Sequence, residues 1–340
     1  MLFRSRNPTP PKTGESPQDG GLYSNILNFA YTTNTYHNVL PSAEVAYNVS
    51  DNTIVRLAGS RTMTRPDPSA MLPGLNFGGP SADTGSVGNP ALKPFLSDNF
   101  DLGLEYYTGQ EGYVGVAVFR KRLTGFTANG NTTVPFSALA QYGVNFSTLS
   151  PTQQNAINLR GGPDVATVVL TEQVNASGAL TVNGFEFNWV QPLDFLLDRF
   201  GLHGLGFTAN YTLVDQSGTG AAPAVALGVA PHTYNITAYY EHGPVMARLS
   251  TVYNKGSQIA NLNQNGITNA ALFSADYRQW DFSSSLDLSK MFGWSHEVQL
   301  TADALNIFQA RLRTYFQFSN ATFTQYDPGR QFMVGVRGRF

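Results

Sequence analysis

The chain has 340 residues, with 21 Lys plus Arg against 23 Asp plus Glu, a net charge of −2 and only 13% charged residues, where an average soluble protein carries about 25%. That balance excludes a basic nucleic-acid binder and an acidic solvating tail, and so little charge leaves much of the outside poorly suited to water. The absence of cysteine excludes a disulfide framework, a thiolate metal site and a cysteine nucleophile. Mean hydropathy is nevertheless slightly negative, at −0.18, because Asn, Ser, Thr, Gln and Gly supply the polarity.

Taken in order, Met1 to Pro8 carries no apolar run of signal-peptide type, and residues 7–21 are rich in Pro, Gly and polar side chains. Residues 1–20 are therefore expected as a disordered or loop segment. Strands follow at 38–49 and 53–62. Phe100, Leu102, Leu104 and Tyr106 then alternate with Asp101, Gly103 and Glu105, a period of two that marks a strand with two unlike faces. A further strand reads at 112–126. The alternation returns at Phe185, Phe187 and Trp189, at Leu205 to Leu213, at 232–241 and at 244–254. It closes the chain at Trp280 to Leu288, Val298 to Ala304 and Phe332 to Phe340. Only 151–160 and 192–201 offer short helix signals. No apolar run approaches the ~18 residues of a membrane helix. The chain is all-β.

The connections carry more information than the strands. Short ones at Ser50-Asp51-Asn52, 108–112, 241–243 and 289–295 alternate with long ones at 63–97, 127–178, 215–231, 255–275 and 309–329. In an up-and-down sheet, alternate connections lie at opposite ends, so one end carries tight turns and the other long polar loops. Strands of roughly ten alternating residues with that asymmetry mark an antiparallel transmembrane β-barrel; a soluble sandwich or propeller gives no such alternation of turn lengths. The apolar face also holds aromatics near strand ends (Tyr106, Trp189, Tyr211, Tyr240, Tyr253, Trp280 and Phe340), as interfacial girdles do.

Residues with chemical potential are scattered. His37, His203, His232, His242 and His296 sit near strand ends and read as turn or interfacial residues rather than metal ligands. Arg120-Lys121-Arg122 reads either as a solvated rim or as a basic patch for an anionic ligand or lipopolysaccharide. Glu105, Glu186, Asp281 and Asp303 fall on separate strands without a nearby base, which suits lumen polar residues better than a hydrolytic pair. Asp67, Asp83, Asp164, Arg160, Phe77 and Phe136 lie in the long loops, and nothing local separates them from ordinary loop residues. No catalytic residue, cofactor site or metal site is expected.

Several stretches resemble one family. Asn38-Val39-Leu40-Pro41-Ser42 entering a strand, Ser60 to Pro66 leaving one, Gly88-Asn89-Pro90-Ala91-Leu92-Lys93-Pro94 followed by Ser97 to Tyr106, Gly184-Phe185-Glu186, Asn306-Ile307-Phe308 and the terminal Phe340 are similar, in order and spacing, to the C-terminal half of the barrel of TonB-dependent receptors. The resemblance implies a Gram-negative outer-membrane location, with residues 21–340 forming about 11–12 strands of a 22-strand barrel and without its plug domain, and hence a truncated gene product or sequence fragment. It implies a receptor, not an enzyme, for TonB-energised uptake of a scarce nutrient such as a ferric siderophore, cobalamin or an oligosaccharide. Ligand would be met by outer loops 63–97 and 127–178. Partners would be outer-membrane lipid, the small nutrient, and the TonB complex only through a plug and TonB box that this sequence lacks. A passive porin-like or adhesin barrel fits the composition equally well but not the ordered motifs, and a barrel enzyme has no assembled cluster to stand on.

Overall fold

The computed structural model describes residues 2–8, 27–72, 74–109, 111–220, 224–264 and 267–339. The chain opens with β1 (Leu2–Pro8), antiparallel to β2 (Leu27–Thr33). This corrects the loop expected over residues 1–20 as far as 2–8 is concerned: a strand seven residues long pairs completely with a partner about 25 residues later, which a local reading of Pro and polar content does not reveal. Residues 9–20 and the terminal aromatic Phe340 lie outside the described residues.

The hairpin β3 (Ser42–Ser50) and β4 (Thr53–Thr64) begins the main sheet. A long loop then carries β5 (Leu75–Phe77) and β6 (Thr84–Val87), before β7 (Phe95–Tyr107) and β8 (Tyr113–Thr124) form the next hairpin. A second long loop holds β9 (Thr127–Pro135), helix α1 (Pro151–Leu159) and β10 (Thr167–Asn175). The strand β11 (Ala179–Pro192) leads through a turn containing α2 (Asp194–Leu197) to β12 (Leu205–Gly218). Next come the hairpin β13 (His232–His242) and β14 (Val245–Asn254), the loop strands β15 (Gln258–Gln264) and β16 (Ile267–Ser274), and then β17 (Tyr277–Asp287). Helix α3 (Leu288–Phe292) turns the chain into β18 (Glu297–Leu305); β19 (Leu312–Phe316) and β20 (Thr322–Tyr326) fill the last loop, and β21 (Gln331–Arg339) ends the described chain.

Eleven of these strands make one antiparallel meander, in the order β21-β18-β17-β14-β13-β12-β11-β8-β7-β4-β3. The strand count and the sequence-ordered pairing match the expected up-and-down architecture. So does the loop asymmetry: every connection at one end is a tight turn or a short helical turn, and every connection at the other is long. What the sequence left as plain loops are folded insertions, one sheet ordered β5-β6-β10-β9 and another ordered β15-β16-β19-β20.

Register sorts the side chains. Directly opposed residues in an antiparallel ladder share a face. One row runs Leu57, Leu102, Val118, Phe185 and Leu213; the next runs Val55, Leu104, Val116, Phe187 and Tyr211. On the other half of the sheet, Phe207, Ala238, Leu249, Phe282, Ala304 and Phe332 stand in one row. The intervening positions form a polar face, where Arg56 Nε donates to Glu105 Oε1 at 2.8 Å, Asn235 donates to Asn210 at 2.8 Å, and Thr237 and Ser250 share a hydrogen bond of 2.9 Å. Two strand glycines on this polar face make room for aromatic rings: Gly184 opposes Phe119 and Gly206 opposes Tyr239, and a Cβ at either would enter the ring.

The apolar face is not covered. Val334 is 84% exposed, Phe332 72% and Val45 62%, while the main buried apolar cluster lies in the loop insertion, around Phe136, Leu139, Ile157, Val168 and Leu170. Accessible surface totals 20825 Å², against about 13,600 Å² for a compact monomer of this mass. An apolar belt of this extent, continuous across eleven strands and backed by no core, suits hydrocarbon rather than water. Against lipid, Phe187→Arg is expected to cost about 2–4 kcal/mol near the bilayer midplane, whereas Asn188→Arg on the opposite face should be tolerated. Urea titration of both variants reconstituted in vesicles measures the difference; equal losses would mean the faces are assigned the wrong way round.

Candidate functional site

The loops expected to meet ligand, 63–97 and 127–178, fold together. β10 pairs antiparallel with β9 from Thr167↔Pro135 to Asn175↔Thr127 and runs parallel to β6 through Val169↔Thr84, Leu170↔Gly85 and Thr171↔Ser86. β5 completes the sheet through Leu75↔Val87. Alternation again divides the faces. Leu75, Phe77, Val87, Val134, Val168 and Leu170 pack on the helical part of the second loop, where Phe136 and Leu139 are buried. Asn76, Ser86, Asn131 and Thr171 stand on the other face.

The motif Gly88-Asn89-Pro90-Ala91-Leu92 has a visible physical role here. A Cβ at Gly88 would run into the Leu72 backbone, so only glycine lets the two segments approach this closely. The Asn89 N–H donates to Ala70 O at 2.8 Å, its side-chain amide donates to Gln173 O at 2.9 Å, and its side-chain oxygen accepts from Ala91 N at 2.9 Å. Leu92 is buried against Met71. Asn175 adds a second staple, accepting from Lys93 N and donating to Lys93 O, both at 2.9 Å.

Between the polar face of this sheet and the short helical turn Pro68–Met71 lies a cleft of about 710 Å³. Asn76, Ser86, Asn129, Thr171 and Gln173 form one wall, and Ser69, Leu72 and Gly74 the other. Glu172 is the one ionisable lining residue; no Lys, Arg, His or aromatic residue lines it among the described residues. Asp67 caps the helical turn, accepting from the N–H and the hydroxyl of Ser69, both at 2.8 Å. Those two donors, the backbone N–H first, hold its carboxyl below the ordinary value of 3.8. Since the folded value is depressed, the cap is in place above that range and is lost only as pH falls through the lowered value.

Arg160 is what joins the loops. Its guanidinium donates to Ala156 O at 3.2 Å, Thr167 O at 2.7 Å, Ser81 O at 2.8 Å and Ala82 O at 3.1 Å. One side chain thus satisfies carbonyls from both loops. The other loop residues singled out in the sequence have separate roles: Phe136 is core, Phe77 packs against it, Asp83 accepts from Ser81 Oγ at 2.5 Å, and Asp164 is exposed.

A second group of cavities, of about 290 and 460 Å³, flanks Lys255, Arg311 and Arg313 beside the β15-β16-β19-β20 sheet. Lys255 pairs with Asp276 at 2.9 Å and Arg311 with Asp327 at 3.0 Å, while Arg313 donates to Ser319 O at 2.8 Å. The sequence reading did not single these residues out, since their partners lie in other segments.

The remaining candidates stay apart. Glu105 pairs with Arg56, Asp281 accepts from Gln279 and from Asn306 N, and Asp303 stands opposite Ser283; Glu186 stands opposite Thr212. His232 Nδ1 is 2.7 Å from the Tyr211 hydroxyl. In the β11–β12 turn His203 Nδ1 is 2.8 Å from Asp198, and its ring stacks on His242. Asp194, Asp198 and His203 bring ligand-type atoms within 4.8 Å of one another there, but Asp194 already accepts from Gly204 N at 2.6 Å, so these groups are engaged in closing the turn. His37 is exposed, and the His296 carbonyl accepts from the Ser289 hydroxyl.

A family model described as "TonB dependent receptor-like, beta-barrel" matches residues 12–307. No curated relative matches significantly. Among solved structures, a variant of the ferric enterobactin receptor PfeA from Pseudomonas aeruginosa, in complex with enterobactin, aligns at 20% identity and a TM-score of 0.61, over 88% of this chain and 40% of that one. The siderophore receptor PirA from Acinetobacter baumannii aligns at 14% identity and 0.57, over 88% and 40%. The FrpB iron transporter from Neisseria meningitidis aligns at 13% and 0.53, over 88% and 39%. The chain thus spans about 40% of the length of these proteins, and at such identities the likeness is one of fold.

If Arg160 holds the two loops together, Arg160→Gln should loosen them without touching the sheet. Amides of 81–87 and 167–171 should exchange several-fold faster, while those of β11 and β12 keep their protection. Uniformly unchanged exchange would remove Arg160 from this role.

Proposed function

The chain belongs to the TonB-dependent receptor β-barrel family, and from that premise we propose that it supplies barrel wall and outer loops to a receptor of the Gram-negative outer membrane that takes up a scarce nutrient. The apolar belt faces lipid, the polar face lines the lumen, and the long-loop end faces the outside. Energised uptake runs through the TonB complex acting on a plug and TonB box. Binding, rather than chemistry, is the task assigned to the loops.

The cleft between loops 63–97 and 127–178 carries this reading. A passive pore or adhesin has no need of two loops tied together across eighty residues around a concave polar site, whereas capture of a dilute solute does. The lining also ranks the nutrient classes. Amides and hydroxyls offer paired donors and acceptors, and no Lys, Arg or His lines the cleft among the described residues. An anionic ferric chelate would meet no cation there. A neutral, hydroxyl-rich solute such as an oligosaccharide finds partners for its hydroxyls in these amides and hydroxyls. Cobalamin, also rich in amides, ranks second.

Calorimetric titration of the chain folded in detergent, with a panel of neutral oligosaccharides, cobalamin and a ferric catecholate, tests the assignment. Asn76→Ala with Gln173→Ala is expected to weaken oligosaccharide binding about tenfold, at roughly 0.5–1.5 kcal/mol per lost hydrogen bond. A catecholate that binds tightly, and loses affinity on Arg313→Ala but not on the cleft substitutions, would move the site to the Lys255-Arg311-Arg313 cluster.

A further inference from the structure

The apolar face carries its cations at one end only. Its strand positions include four arginines, Arg61, Arg120, Arg122 and Arg278, and no lysine, and all four lie toward the long-loop end. The opposite end of that face holds aromatics instead, Tyr106, Trp189 and Tyr240 among them. Arg278 is engaged with rings, 5.1 Å from Tyr253 and 5.9 Å from Tyr234. The other three form a cluster across adjacent strands. Arg61 opposes Asp98, Asp98 opposes Arg122, and Arg120 stands one row lower opposite Phe100.

Charge in this cluster is not balanced. Arg61 Nε bonds Asp98 at 2.6 Å. Among the described residues Arg120 reaches only the amide oxygen of Asn183, at 3.5 Å, and Arg122, opposite Asp98, shares that carboxylate electrostatically with Arg61 without closing an ion pair of its own. Asp215 is the nearest further carboxylate on this face, one strand beyond Asn183. Immediately below lies the apolar row Leu57, Leu102, Val118 and Phe185. Three guanidiniums thus stand about the one carboxylate of Asp98 at the upper border of a lipid-facing belt, and Arg120 has no anionic partner among the described residues.

We propose that Arg120 and Arg122, steadied by the Arg61–Asp98 pair, dock the phosphate groups of a phosphorylated outer-leaflet glycolipid. The inference rests on the orientation proposed above, with the long loops outside. Continuity with the belt selects the occupant: acyl chains lying on Leu102 and Val118 bring a headgroup to the height of these arginines. Guanidinium forks suit phosphate oxygens, with charge-assisted bonds roughly twice as strong as neutral ones. Long arginine stems also let the charge rise to the interface while their methylenes stay on the apolar row.

The test uses the full chain folded in zwitterionic detergent, with bisphosphorylated lipid A, enzymatically dephosphorylated lipid A and inorganic phosphate as probes. Native mass spectrometry reads retained lipid, and the thermal midpoint reads stabilisation. Lipid A is expected to be retained and to raise the midpoint, and Arg120→Gln with Arg122→Gln should weaken retention about tenfold or more. Lys121→Gln, which removes a neighbouring charge from the opposite face, should retain lipid A like the parent chain. Unchanged retention by the double variant, or equal retention of dephosphorylated lipid, overturns the proposal; displacement by inorganic phosphate reassigns the site to a free anion and overturns it too. Labelling Ser137→Cys in intact cells with an impermeant maleimide separates the two levels. Without labelling, the orientation itself fails. Labelling together with indifferent arginine variants defeats the lipid site alone.

Discussion

Everything in this molecule depends on register. Eleven neighbouring strands keep an in-step antiparallel ladder, with irregularity in the main sheet confined to the β3–β4 turn, so a side-chain period of two on each strand becomes one apolar surface across all of them. A slip of a single residue anywhere would carry that strand's aromatics to the polar face and its Glu, Asp and Asn to the apolar one. The rows are therefore mutually enforcing: Phe185 fixes Val118 and Leu213, which fix Leu102 and the residues beyond. Because backbone polar groups in hydrocarbon must find partners within the protein, the same ladder that sorts the side chains also makes the strands compatible with lipid.

A sheet specified in this way has no interior of its own, and that explains where the buried residues are. Stability that a soluble domain takes from a core is supplied here by the ladder and by the solvent the belt faces. The loops cannot use either. They stand beyond the belt, so they must bury their own apolar residues, and they do so around Phe136, Ile157 and Leu170. Their tertiary contacts are correspondingly those of a small globular unit: a satisfied arginine at the junction, asparagine staples, and a glycine where two backbones meet.

The division between ladder and loops also governs what the sequence could tell. Strands of the meander advertise themselves locally, since Phe100 to Tyr106 or Phe185 to Trp189 show their period without reference to any partner, and tight turns at one end follow from connection lengths alone. The hairpin at Leu2–Pro8 does not advertise itself, because its evidence is a pairing rather than a pattern. The same holds for β9, whose Asn, Gly and Thr read as loop until β10 lies beside it, and for the parallel β6–β10 contact between segments more than eighty residues apart. Arg160 was visible only as one loop arginine among others; its meaning is a set of carbonyls on Ser81, Ala82 and Thr167 that only the folded loops bring within reach. The cleft was legible as a region, loops 63–97 and 127–178, but not as a lining.

Charge placement ties these parts together. With 21 cations in 340 residues, each position is a choice between neutralising a neighbour, facing lipid headgroups and meeting solute. On the polar face Arg56 is committed to Glu105 and lies near Glu44 at 3.7 Å, and Arg248 lies 3.8 Å from Glu241, so these two cations are spent on neighbouring carboxylates. The cleft goes further and excludes cations altogether. At the upper border of the belt Arg120 stands without a carboxylate partner among the described residues. In the proposed reading, anions are drawn to the arginine cluster at the rim, while recognition in the cleft would rest on short-range hydrogen bonds that salt does little to screen. A wall built so would let the proposed lipid site on its outside and the proposed solute site at its mouth be filled without competing.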